Sequence, residues 1–101
     1  MKKISYTPEA LNDLQRVIDF IEQYNPTSAG HIALTIKSGV DKLKHFPMIG
    51  LPVQKSQDPE KIRDIYVEQY TIRYLVTTLD IIILRVWHNK ENENNLDITS
   101  P

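Results

Sequence analysis

The sequence predicts an α+β fold in the order β-α-α-β-β-β: an N-terminal helical hairpin packed on one face of a small, mainly antiparallel sheet. Two observations predict it. Two apolar stripes of helical period, each opened by a capping residue and a proline, follow one another almost without a linker between Thr7 and Leu43. Three runs of β-branched and aromatic residues then alternate with polar ones at about 62–67, 70–77 and 81–88. The breaks between them, Glu68-Gln69 and Leu79-Asp80, are short enough for tight turns between consecutive strands.

Each element has its own signal. Lys3-Ile4-Ser5-Tyr6 alternates briefly and supplies an edge strand to the later sheet. Thr7-Pro8-Glu9 starts a helix, with threonine as N-cap, proline at the first helical position and an acid facing the dipole. Leu11, Leu14, Val17, Ile18 and Ile21 form its buried stripe, extending to Tyr24, while Asp13, Gln15, Arg16, Asp19, Glu22 and Gln23 fall on the solvated side. Asn25-Pro26 repeats the grammar and opens a second helix with the stripe Ala29, Ile32, Ala33, Ile36, Val40 and Leu43.

Short side chains at Ala29, Ala33 and Gly39 permit close approach of the helices, or of a helix and the sheet. His31 lies beside the second stripe and is expected at the surface. Phe46-Pro47 stops the helix, and Gly50, Pro52 and Pro59 keep Met48 to Glu60 irregular, as a loop that is either mobile or functional. One domain over residues 1–90 is followed by a polar tail over 91–101.

Strand parity assigns two faces to the sheet. In the third run Ile82, Leu84, Val86 and His88 share one side, and Ile81, Ile83, Arg85 and Trp87 the other. In the second, Tyr70, Ile72, Tyr74 and Val76 oppose Thr71, Arg73, Leu75 and Thr77. Taking the uninterrupted apolar sides as core leaves Arg73, Arg85 and Trp87 together on an open face, a plausible binding surface. The plainer reading pairs both arginines with acids across the strands and has Trp87 cover a hydrophobic edge.

A chain of 101 residues with 41% hydrophobic and 25% charged residues is an ordinary globular domain. It has no cysteine, which excludes disulfides, thiolate metal sites and a cysteine nucleophile. No apolar run approaches the roughly 20 residues of a membrane span, and Met1-Lys2-Lys3-Ile4 does not open a signal peptide. The expected compartment is therefore the cytoplasm, with no membrane partner.

A formal net charge of −1 lacks the basic surplus of proteins that grip phosphate backbones. Lys37, Lys42, Lys44, Lys55, Lys61 and Arg63 nevertheless concentrate in the middle third, and Glu91, Glu93 and Asp97 in the tail. His31, His45 and His88 lack metal-ligand spacing, and no phosphate loop or nucleophile elbow is present, so neither cofactor nor metal is expected. Metal-free RNA cleavage remains chemically conceivable, with His88 near Arg85 and with Arg63 and Arg73 as cations.

Six pieces in order resemble the RelE/ParE superfamily of type II toxin–antitoxin toxins: Tyr6-Thr7-Pro8-Glu9-Ala10 with Asp13-Leu14, Tyr24-Asn25-Pro26, Phe46-Pro47-Met48-Ile49-Gly50, Ile62-Arg63, Tyr70-Thr71-Ile72-Arg73-Tyr74 and Ile83-Leu84-Arg85-Val86-Trp87-His88. The resemblance spans about residues 3–90 and implies the same element order. RelE-like members resemble ribosome-dependent mRNA endonucleases with a basic catalytic set, and ParE-like members act on DNA gyrase. Aligned on Tyr70 and Tyr74, the nuclease arginine falls on Thr71 and its upstream lysines on Ile62 and Asp64, while its last basic residues and tyrosine fall in the acidic, amide-rich Asn89 to Asn95. Leu51 stands where ParE-like chains often carry a basic residue.

The resemblance therefore implies a ParE-like toxin that binds DNA gyrase through Arg63, Arg73, Arg85, Trp87 and His88 and is neutralised by a cognate antitoxin. It implies no catalytic residue, and it allows a homodimer or a toxin–antitoxin hetero-oligomer. The alternatives are a RelE-like nuclease acting on ribosome-bound mRNA through His88, Arg85 and Arg73, and an inactive toxin fold that keeps only antitoxin binding.

Overall fold

A computed structural model describes residues 2–91; the expected tail over 91–101 lies almost wholly outside the described residues. The element order is β1 (Lys3–Tyr6), α1 (Pro8–Glu22), α2 (Pro26–Asp41), a short 3-10 turn (Lys42–Lys44), β2 (Leu51–Pro52), β3 (Ile62–Val67), β4 (Tyr70–Val76) and β5 (Asp80–His88). Both helices start where their caps predict: Thr7 Oγ1 accepts from the Ala10 amide at 3.0 Å and Asn25 Oδ1 from the Ser28 amide at 3.2 Å. The helical hairpin packs on one face of a five-stranded sheet of order β1-β5-β4-β3-β2. All neighbours run antiparallel except β1, which lies parallel to β5.

Two details correct the expectations. The irregular loop contains a two-residue strand, because Leu51 and Pro52 pair with Asp64 and Arg63 on the sheet edge. Pro52 is tolerated there because an edge strand need donate on one side only. The buried stripe of α1 is also rotated. Ala10, Asp13 and Val17 face the sheet, while Leu11 and Tyr24 are exposed. The helix turns this way because Asp13 meets ion and hydrogen-bond partners on β5, so a carboxylate occupies a position that periodicity reserves for an apolar side chain.

The larger correction concerns parity. Tyr74 pairs with Ile83 but Arg73 pairs with Arg85, so Leu84 is an extra residue and β5 bulges. Beyond the bulge every side chain changes face. Ile81 and Ile83, then Val86, join Tyr70, Ile72 and Tyr74 in the core beneath the helices, with Ala10, Val17, Ile36, Val40 and Leu43. Ile82 and Leu84 pack with Ile62, Leu75 and Val53 in a second, smaller cluster on the far face. At Gly39 α2 touches the sheet so closely that an added Cβ would lie 2.5 Å from Val67 Cγ2, which accounts for the glycine.

Candidate functional site

The five residues expected at the target surface do not share an open face. Arg73 and Trp87 lie on the face away from the helices, with the guanidinium 5.1 Å from the indole centroid, but they are only 4% and 5% exposed. Arg73 binds both carboxylate oxygens of its cross-strand neighbour Asp64, at 2.9 and 3.0 Å. Arg85 turns to the other side and holds Asp13 on α1 through two bonds of 2.7 and 3.0 Å. The bulge at Leu84 separates these two arginines, although they are register partners.

Asp13 is the hub of a buried network. Its oxygens also accept from Arg16 at 2.7 Å and from the Val86 amide at 3.0 Å. Burial pushes its carboxyl up, but the bonds from Arg85, Val86 and Arg16 together outweigh this and hold it below the usual carboxylate range. Arg16 reaches on to Glu91, whose carboxylate accepts the His88 amide at 2.9 Å. Sequence periodicity missed both Asp13 and Arg16; the sole signal was a carboxylate three residues before an arginine on α1, which alone reads as a solvated pair.

His88 stands on the helix side, edge-on to Tyr70 at 5.1 Å. The Lys90 amide donates to its Nδ1 at 3.0 Å, so the lone pair is on Nδ1. Nε2 then carries the hydrogen and donates to Gln69 Oε1 at 3.1 Å. Both ring nitrogens are occupied, and Arg73 is on the opposite face. His88 borders a cleft of about 530 Å³ walled by Arg16, Phe20, Tyr70 and Lys90.

A second groove, of about 690 Å³, runs between α2 and the edge of β3. Leu34, Ile49, Leu51 and Tyr66 line it and are all exposed, with Lys42 and Glu68 among the charged residues on its border. Its lower wall is the turn after Phe46, anchored from the sheet. Arg63, also expected at the surface, is 8% exposed and bonds the carbonyls of Gly50 (2.9 Å), Met48 (3.3 Å) and Glu60 (2.9 Å). Tyr74 Oη donates to Pro47 O and accepts from the Gly50 amide. Burial raises the Tyr74 phenol above its ordinary value, against an opposing pull from the Gly50 amide and Arg63, so it stays a hydrogen donor.

An apolar groove beside a helical hairpin, on a sheet of this order, invites comparison with known proteins. Residues 4–93 match the family model for the ParE toxin of the type II toxin–antitoxin system, parDE. The chain belongs to the ParE toxin family. Toxin RelE2 of Caulobacter vibrioides is 32% identical over 89 residues, covering 87% of this chain and 96% of that protein. In fold, the ParE-family chain is similar to a solved structure of the chromosomal ParDE TA system from P. aeruginosa (TM-score 0.72, 23% identity, 87% of this chain and 96% of that one). It is also similar to the solution structure of the conserved hypothetical protein HP0894 from Helicobacter pylori (TM-score 0.56, 16% identity, 90% and 98% covered). Membership of a type II toxin family implies a cognate antitoxin. Among the described residues no helix is long and apolar enough to cross a membrane, and no cluster of His, Cys, Asp or Glu is arranged to hold a metal ion.

Proposed function

We propose that this toxin acts in the cytoplasm by binding DNA gyrase and not by cutting RNA, and that its antitoxin neutralises it from the groove between α2 and β3. One observation carries the choice: the cations that a metal-free nuclease would turn onto a scissile phosphate are committed elsewhere. Arg73 lies on Asp64, Arg85 on Asp13 and Arg63 on main-chain carbonyls, and they point in three directions. His88 has both nitrogens engaged on the opposite face from Arg73. A nuclease site needs these groups to converge within reach of one phosphate.

Of the five residues expected to meet the target, we assign the direct gyrase contact to His88, a reading supported by its position in the wall of the cleft with Phe20 and Lys90. Arg63, Arg73, Arg85 and Trp87 serve the contact by holding the strands that present it. The groove suits an amphipathic antitoxin segment because apolar side chains stand exposed along it.

The experiment expresses the toxin without its antitoxin and reads two outputs. Loss of gyrase supercoiling with intact mRNA on primer extension is the expected result. Codon-specific cuts in ribosome-bound message would replace this reading with the nuclease, and unimpaired growth would leave only antitoxin binding.

A further inference from the structure

Between Phe46 and Leu51 the chain carries Phe46, Met48, Ile49 and Leu51, four large apolar side chains exposed to solvent. A turn whose own side chains point outward has no core of its own to hold it. Here its main chain is held by the sheet instead. Tyr74 Oη donates to Pro47 O at 2.8 Å and accepts from the Gly50 amide at 2.9 Å, and Arg63 donates to the carbonyls of Met48 and Gly50. Tyr74 is fully buried, and it is the cross-strand partner of Arg63.

Gly50 sits between them with no spare room, since an added Cβ would lie 2.6 Å from Tyr74 Oη and 2.8 Å from Asp64 O. Burying a phenol and a guanidinium is unfavourable unless their hydrogen bonds are made. These bonds are made to the turn, so they fix its shape.

We propose that Tyr74 and Arg63 are positioning residues for the antitoxin groove: they hold the Pro47–Gly50 turn so that Ile49 and Leu51 stay in the wall of the groove that Leu34 and Tyr66 also line, ready for an amphipathic segment of the antitoxin. This inference rests on the groove reading above. Along the groove Lys42 is balanced by Glu68, and Asp64 is bound by Arg73, so the segment is recognised by its apolar face. A preformed wall spares the partner the cost of ordering it; a turn in the competent shape about a tenth of the time would bind about tenfold more weakly.

Tyr74→Phe keeps the ring and removes both bonds. The Gly50 amide should then exchange with solvent markedly faster in the free toxin, and affinity for the cognate antitoxin should fall about tenfold. Ile81→Val, a core change at a residue paired with Ile4 and Val76, lowers Tm and should leave that affinity intact. If Tyr74→Phe does not fold, Arg63→Lys, which keeps the charge but loses the two-carbonyl grip, carries the same expectation. Faster Gly50 exchange with unchanged affinity would overturn the positioning role and leave the groove reading standing. Unchanged antitoxin affinity in Leu34→Asp would overturn the groove reading, and the positioning role with it.

Discussion

Asp13 and Arg85, 72 positions apart, meet through both carboxylate oxygens at 2.7 and 3.0 Å and bolt the first helix to the last strand. The contact is buried, with the Asp13 side chain 3% and that of Arg85 17% exposed. Removing one partner of such a pair strands the other charge away from water. Asp13→Ala is expected to cost about 3–5 kcal/mol in urea unfolding, as much as the truncation of a large core side chain.

Acid should act through the same carboxylate. The folded Asp13 sits below its unfolded value, so its contribution is complete above about pH 4, the ordinary aspartate range, and is lost as pH falls through the lower, folded value. Wild-type stability should therefore decline on acidification in that window. Asp13→Asn, which has no proton to take up there, should show a flatter profile when unfolding is followed across pH 2–6 (about two units either side of the unfolded value).

Gly50 in the turn and Gly30 in α2 should respond with opposite sign. Gly50→Ala forces a Cβ against Tyr74 Oη and the Asp64 carbonyl, and is expected to destabilise by about 1–3 kcal/mol. Gly30 is helical and meets nothing within 4 Å, so Gly30→Ala should stabilise by up to about 1 kcal/mol through helix propensity. Thermal melts of the two variants check both signs.

Glu68 begins the two-residue turn between β3 and β4 with φ 53°, a left-handed conformation that costs a side-chain-bearing residue about 1–2 kcal/mol. Glu68→Gly should recover part of this, about 0.5–1 kcal/mol, and raise Tm without altering the hairpin register.

Strand limits, helix starts and the Gly39 approach were legible because each rests on local chemistry: a proline after a cap, a break between alternating runs, a missing Cβ. Parity was not legible past Leu84. A bulge inserts one residue without a sequence mark, and Arg85, which alternation puts beside Trp87, ends under α1 instead. Asp13 was missed for the complementary reason. Its three donors come from Arg16, Arg85 and Val86, two of them 72 or 73 positions away, and no pattern within one helix records such partners. The site suffered most, because charged residues were assigned to surfaces by type while in the fold they are consumed by one another.

Within this domain β1 finds its place only beside β5, although both helices and all the other strands lie between them in sequence. The domain must therefore wait, its helices without their full backing, until β5 has been made. A chain that stops short of β5 leaves β1 without its neighbour and cannot close the sheet.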